Sequence, residues 1–182
     1  SSNTSGSSGV SLKIIRSPKS FLNSQISFYL FLNQFKINRF DKNIYVGGAR
    51  KNKVSLVSRF FNFCLSKITG TCKFVASDMI SEEHYEEFLR TYELIKPKYL
   101  HGFSSALLRI ADYVDEKNII LNWKAKLVHP NAEGISLNQR KKLEKVFGAP
   151  VGMVYGSAEC HMASECPYGV MHVNMRSCDL KT

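Results

Sequence analysis

From Ser17 onward the chain alternates stretches patterned for helices with short apolar stretches patterned for strands, and few architectures accommodate that order. Ser17-Pro18 predicts a helix start, because proline suits the first turn, and apolar residues continue through Phe28, Leu30, Phe31 and Phe35. Lys42 to Val46 and Lys73 to Ala76 read as short strands. Ser81, with Glu82 and Glu83 behind it, predicts a capped helix running to about Lys96, where Pro97 stops it. Lys98 to His101 reads as a strand, and after Gly102 a helix from about Ser104 sets Leu107, Ile110, Ala111 and Val114 on one face. Lys124 to His129 is a further strand. Ser136 and Gln139 form a capping-box pattern for a helix that turns Leu137, Leu143, Val146 and Phe147 inward and ends at Gly148. The apolar runs Pro150 to Val154 and Val170 to Met175 follow.

This order predicts an α/β fold, a layered domain with a largely parallel sheet and flanking helices. In such sheets ligands gather at the carboxyl ends of strands. Three polar turns follow predicted strands, Gly102 to Ala106, Pro130 to Gly134 and Tyr155 to Glu159, and are expected to line one sheet edge and face one ligand. In the last of them an aromatic ring can flank a base, a glycine permits close approach, and the Glu159 carboxylate can hold magnesium beside phosphates. The amino-terminal run Thr4-Ser5-Gly6-Ser7-Ser8-Gly9 has the makings of a phosphate clamp. Its glycines let the backbone approach an anion, and its hydroxyls and amides donate hydrogen bonds. Taken alone, the same run reads equally as a flexible leader.

The 182 residues are enough for one domain or a large part of one, and an opening inside a motif, without an initiator Met, reads as a fragment. A net charge of +10 suits an acidic partner, whether nucleotide, nucleic acid or anionic membrane surface. The basic residues are scattered (Lys36, Arg39, Arg50, Lys51, Lys53, Arg140, Lys141, Lys142) and no recognised nucleic-acid motif accompanies them, so a solvated basic surface is expected and nucleic acid is not. Cys64, Cys72, Cys160, Cys166 and Cys178 match no disulfide framework and read as reduced thiols of a cytoplasmic protein. Cys160, His161, Cys166 and His172 offer zinc-type donors, but adjacent Cys160 and His161 do not easily share one tetrahedron, and packing is the default role. The apolar segment from Phe21 to Ile37 is interrupted by Asn23, Ser24, Gln25, Asn33 and Gln34, so no membrane span is expected.

Taken together, these features resemble the adenylate-forming enzymes, the acyl-CoA synthetase and ligase superfamily, and within it the phenylacetate-CoA ligase and CapK-like capsular polysaccharide group. Thr4 to Gly9 resembles the Ser/Thr/Gly pyrophosphate loop, and Ala132-Glu133, ahead of the helix from Ser136 to Phe147, resembles the nucleotide loop. Phe147-Gly148-Ala149-Pro150-Val151 leading to Tyr155-Gly156-Ser157-Ala158-Glu159 resembles the strand and YGS-x-E motif of the group, and Glu165 to His172 resembles its Glu-Cys, Gly, His stretch. Two departures stand out. Val10 and Ser11 occupy the place of the usual Lys-Pro pair, with Lys13 nearby, and Ser8 replaces the commoner Thr.

The resemblance implies ATP, magnesium and a carboxylic acid as reactants, with CoA or another acceptor taking the acyl group. Thr4, Ser5, Gly6, Ser7, Ser8 and Gly9, with Lys13, would cradle the phosphates; Ala132, Glu133, Tyr155, Gly156 and Ser157 would line the nucleotide site; Glu159 would bind the magnesium. It also implies that residues 1–182 are a partial adenylation domain. The ribose-binding Asp, the hinge and the mobile carboxy-terminal domain with its catalytic Lys would lie past Thr182, and an amino-terminal portion would precede Ser1. Two other readings compete. Gly102-Phe103-Ser104-Ser105-Ala106 resembles a hydrolase nucleophile elbow, with Asp112 or Asp115 and His129, His161 or His172 following, although it ends in Ala where Gly is usual. The other is a non-catalytic remnant of a ligase.

Overall fold

The computed structural model of the protein describes residues 2–3, 13–15, 17–48, 70–157 and 160–176. The chain forms two compact units, one of Lys36–Gly152 and one of Ser1–Phe35 with Met153–Thr182.

The larger unit is built on strands β3 (Asn43–Val46), β4 (Thr71–Phe74), β5 (Tyr99–Phe103) and β6 (Leu127–Asn131), all parallel, in the order β4-β3-β5-β6. Val151 adds a single parallel bridge to Val128. The helices are α2 (Glu82–Ile95), α3 (Ser104–Glu116) and α4 (Leu137–Phe147), so the layered α/β class read from the sequence stands. α2 carries Glu82 and Glu83 in its first turn, where the helix dipole favours them, and ends with Lys96 in the left-handed conformation, φ 54°, just before Pro97. Ser81 caps it through no side-chain bond, since its hydroxyl lies 2.6 Å from His84 Nδ1. The apolar face of α3 is as expected, with Leu107, Ile110, Ala111 and Val114 buried. The core continues through Ile44, Val46, Leu100, Phe88, Tyr92 and Phe147.

Strand boundaries moved where a neighbour decides them. β4 starts at Thr71 because Asn43 N donates to Gly70 O (2.9 Å) and Asn43 Nδ2 to Thr71 Oγ1 (3.1 Å). It closes at Phe74, whose carbonyl accepts from Gly47 N, leaving Ala76 to begin a short 3-10 turn, Ala76–Asp78. β6 begins later than expected because Asn122 N and Trp123 N both donate to Glu93 Oε1, and Trp123 Nε1 donates to Pro97 O, which holds 122–124 as a connecting turn. Leu137 is 77 % exposed, contrary to its inward reading. Six residues before Leu143, it stands about 120° around the helix from the buried face.

In the smaller unit, β1 (Ser2–Asn3) pairs antiparallel with β2 (Lys13–Ile14), and α1 spans Pro18–Gln34. Ser17 caps α1 by accepting from Ser20 N at 3.1 Å, with Pro18 at the first helical position as the sequence predicts. β7 (Val154–Gly156), β8 (His161–Glu165) and β9 (Met171–Val173) form an antiparallel sheet in that order. β8 was not expected from the sequence. Asn174 Nδ2 ties this sheet to α1 by donating to Ser27 Oγ (2.6 Å) and to His161 O (3.0 Å). Among the described residues no helix is long and apolar enough to cross a membrane.

Candidate functional site

The junction of β5 and α3 sits at the carboxyl edge of the parallel sheet, and the cross-strand register sets Gly102 beside Pro130 and Phe103 beside Asn131. Pro130 and Asn131 thus belong to β6 itself, so the polar turn expected at Pro130 to Gly134 shortens to the residues after Asn131. Gly102 is required by its neighbour on the other side, since a Cβ there would lie 2.1 Å from the backbone oxygen of Val46. Immediately afterwards Ser104, 1 % exposed, donates from Oγ to both Asn131 O (3.1 Å) and Glu133 O (2.8 Å). Ser105 N donates to Glu133 Oε2 at 3.1 Å, which sets the carboxylate on the amino end of α3, where the helix dipole favours a negative charge. Between these anchors Ala132 adopts a left-handed backbone, φ 67°. The turn 132–134 is therefore held by its carbonyls and by one carboxylate, and both Ala132 and Glu133 are exposed at the edge where α/β sheets take ligands.

These bonds give Ser104 a structural role in place of the nucleophile of the hydrolase reading. The Ser104 proton is shared between two carbonyls, Asp112 pairs with Lys142, Asp115 pairs with Lys145 (2.6 Å), and His129 is buried with Nδ1 donating to Gly152 O at 2.8 Å. His101, the register partner of His129, is packed between the Tyr45 and Tyr99 rings with Nε2 3.2 Å from Asn43 Oδ1. Burial above all, then the charges of His129 and Lys73, bring its pKa down to about 3, so the imidazole is neutral at physiological pH.

Tyr155, Gly156 and Ser157 belong to the other unit, and their sheet is antiparallel, so the expected alignment of three turns on one parallel edge reduces to two. Tyr155 and Gly156 are strand residues of β7, not turn residues, and Tyr155 is 65 % exposed. Ser157 N donates to Cys160 O (3.0 Å), and a Cβ on Gly156 would stand 2.8 Å from that same oxygen, so glycine is needed where β7 bulges against β8. Cys160 lines a cleft of about 200 Å³ with Ser17, Lys19, Ser20, Asn23 and Arg176, beside the capped amino end of α1. Lys19 and Arg176 give this cleft a positive lining that sequence reading did not single out. The only signal available was their charge, which the chain repeats widely.

Glu159 and the run Thr4 to Gly9 lie outside the described residues, and Lys13 is described only as a backbone partner of Asn3. Among the described residues no group of three His, Cys, Asp or Glu side chains is placed to hold a metal ion. His161 is buried, and burial keeps its pKa below the usual value. Burial pushes the Cys166 thiol up, but His172 and the backbone amides of Tyr168 and Val170 act the other way, and the net shift is downward. A cavity of about 440 Å³ in the larger unit, lined by Val114, Asn118, Trp123, Lys145 and Phe147, shares no residue with the 132–134 turn.

No protein-family model matches the chain. Over 94 residues it is 29 % identical to protein CapK of Staphylococcus aureus, a match that covers 51 % of this chain and 21 % of that protein. Among solved structures, an open conformation of 2-hydroxyisobutyryl-CoA ligase in complex with 2-HIB-AMP and CoA superposes with a TM-score of 0.57 at 11 % identity, covering 90 % of this chain and 38 % of that one. The luciferase-like enzyme of the nonluminescent mealworm Zophobas morio gives 0.56 at 21 % identity, covering 91 % and 36 %. VinN in complex with L-aspartate gives 0.56 at 15 % identity, covering 91 % and 39 %. The likeness to these structures is one of fold, and the chain spans less than half the length of each relative.

Proposed function

From a chain that shares the fold of the adenylate-forming ligases and, over about half its length, is related to CapK, we propose an ATP-dependent acid-activating enzyme of which residues 1–182 supply part of the adenylation domain. The supporting observation is the turn of Ala132 and Glu133, anchored at the carboxyl edge of the parallel sheet with both residues exposed. There it would line the nucleotide site, with Tyr155 packing near adenine and Gly156 and Ser157 beside it. Thr4 to Gly9 and Lys13 would hold the phosphates. Glu159 would hold the magnesium that accompanies ATP, whose charge offsets that of the phosphate oxygens.

In the reaction proposed, a carboxylate oxygen of the substrate attacks the α-phosphorus of ATP, the bond to the bridging oxygen breaks, and pyrophosphate leaves carrying the electron pair. The product is an acyl-adenylate. A thiol, with CoA as the first candidate, then attacks the acyl carbon, and AMP departs as the thioester forms. The protein supplies no nucleophile. Its task is to position the reactants and to stabilise charge spreading over phosphate oxygens. The link to CapK makes acids used in capsule or surface-polysaccharide assembly the first substrates to test.

Acid-dependent exchange of labelled pyrophosphate into ATP, measured with the intact protein and a broad panel of carboxylic acids, tests this reading. Exchange is expected with at least one acid, and Glu159→Gln is expected to lower it about a hundredfold. A folded protein that supports no exchange across the panel refutes acid activation and leaves a non-catalytic relative of the ligases.

A further inference from the structure

The turn beyond β6 meets α3 through two side chains that differ sharply in exposure. Ser104 is 1 % exposed and lies beneath the turn, with its hydroxyl against the carbonyls of Asn131 and Glu133. Glu133 is exposed, yet its carboxylate folds back onto Ser105 N at 3.1 Å. Ala132, between Asn131 and Glu133, is held at φ 67°, a backbone state that L residues rarely adopt unless the surroundings fix it. Register supplies the base of the assembly, because Phe103 and Asn131 pair directly ahead of both anchors.

We propose that Ser104 and Glu133 are positioning residues, a latch that holds the left-handed Ala132 turn in its nucleotide-receiving shape before any ligand arrives. The inference rests on the adenylation reading and extends it to a residue, Ser104, that contacts no nucleotide. The carbonyls of Asn131 and Glu133 are occupied by the serine hydroxyl, and the turn cannot rotate without breaking both bonds. The Glu133 carboxylate is drawn to the amino end of α3, which ties the turn to the helix from its exposed side. Ser104 thereby acts through the turn, and Glu133 acts as an anchor of it.

The test measures AMP binding and pyrophosphate binding to the intact protein by calorimetry, together with amide hydrogen exchange over residues 131–134 without ligand. Ser104→Ala is expected to weaken AMP binding about tenfold, speed exchange in the turn, and leave pyrophosphate affinity unchanged. Glu133→Ala, at an exposed position that does not threaten folding, is expected to change both readouts in the same direction. Glu133→Gln, which keeps an acceptor oxygen, stays closer to the unaltered protein than Glu133→Ala does. The double variant Ser104→Ala/Glu133→Ala loses no more than about the larger single loss, because either break releases the turn. Unchanged exchange in the turn, unchanged AMP affinity, or an equal loss for pyrophosphate overturns the latch while leaving the adenylation reading intact. An unaltered protein that binds no AMP overturns the nucleotide reading and the latch's role in it together.

Discussion

At Gly102 the neighbouring strand leaves room for a hydrogen and nothing larger, because a methyl group would stand 2.1 Å from the backbone oxygen of Val46. Backbone on both sides cannot yield as a flexible side chain would. Gly102→Ala is therefore expected to destabilise the larger unit by about 3 kcal/mol or more, read as a lower urea midpoint. The sequence marked Gly102 as the end of a strand, but the reason for glycine lies on β3, more than fifty residues earlier, and no local pattern carries it. Ser104 shows the same limit from the opposite side. Its place after a strand and before a helix allowed both a cap and a nucleophile, and only the carbonyls of Asn131 and Glu133 decide between them. Tyr155 was read as a turn residue whose ring can flank a base, yet it is a strand residue, and which sheet holds it depends on pairing with β8, which local residues do not announce.

Helices were read well because their signals are local. Ser136 Oγ accepts from Gln139 N at 3.3 Å while Gln139 Oε1 accepts from Ser136 N at 2.8 Å, the reciprocal pair that their spacing predicts. Ser136→Ala is expected to cost about 1 kcal/mol in thermal or urea unfolding, with the fraying confined to the first turn of α4. Strands were read less well, since an edge is placed by its partner. β4 is bounded by bonds from Asn43 and Gly47, and β6 is delayed by the grip of Glu93 on Asn122 and Trp123. β8 escaped notice because the residues it buries alternate, at His161 and Ala163, but one is polar and the other small, so together they do not spell an apolar face.

Across the whole molecule, each unit contains a histidine that folding keeps neutral: His101 in the larger unit and His161 in the smaller. Both pKa values are depressed on folding, so their contribution is fully present above the unfolded value of 6.5 and is lost as pH falls below it; for His101 the loss continues to about 3. At pH 5 the His101 term alone is on the order of 2 kcal/mol. Urea midpoints measured from pH 7.5 to 5 should therefore fall, and the slope should flatten in His101→Gln. An unchanged slope in that variant would place the acid sensitivity elsewhere. The smaller unit has a further property, set by the route of the chain. Ser27 and Asn174, joined by one hydrogen bond, are 147 positions apart, whereas the larger unit is a single uninterrupted stretch. Closing so long a loop carries an entropic cost that grows with the logarithm of its length, and the bond forms only once Asn174 has been made. α1 is made well before β8 and β9, so Ser27, buried on α1 in the finished fold, waits for Asn174 and the strands beside it before it is covered.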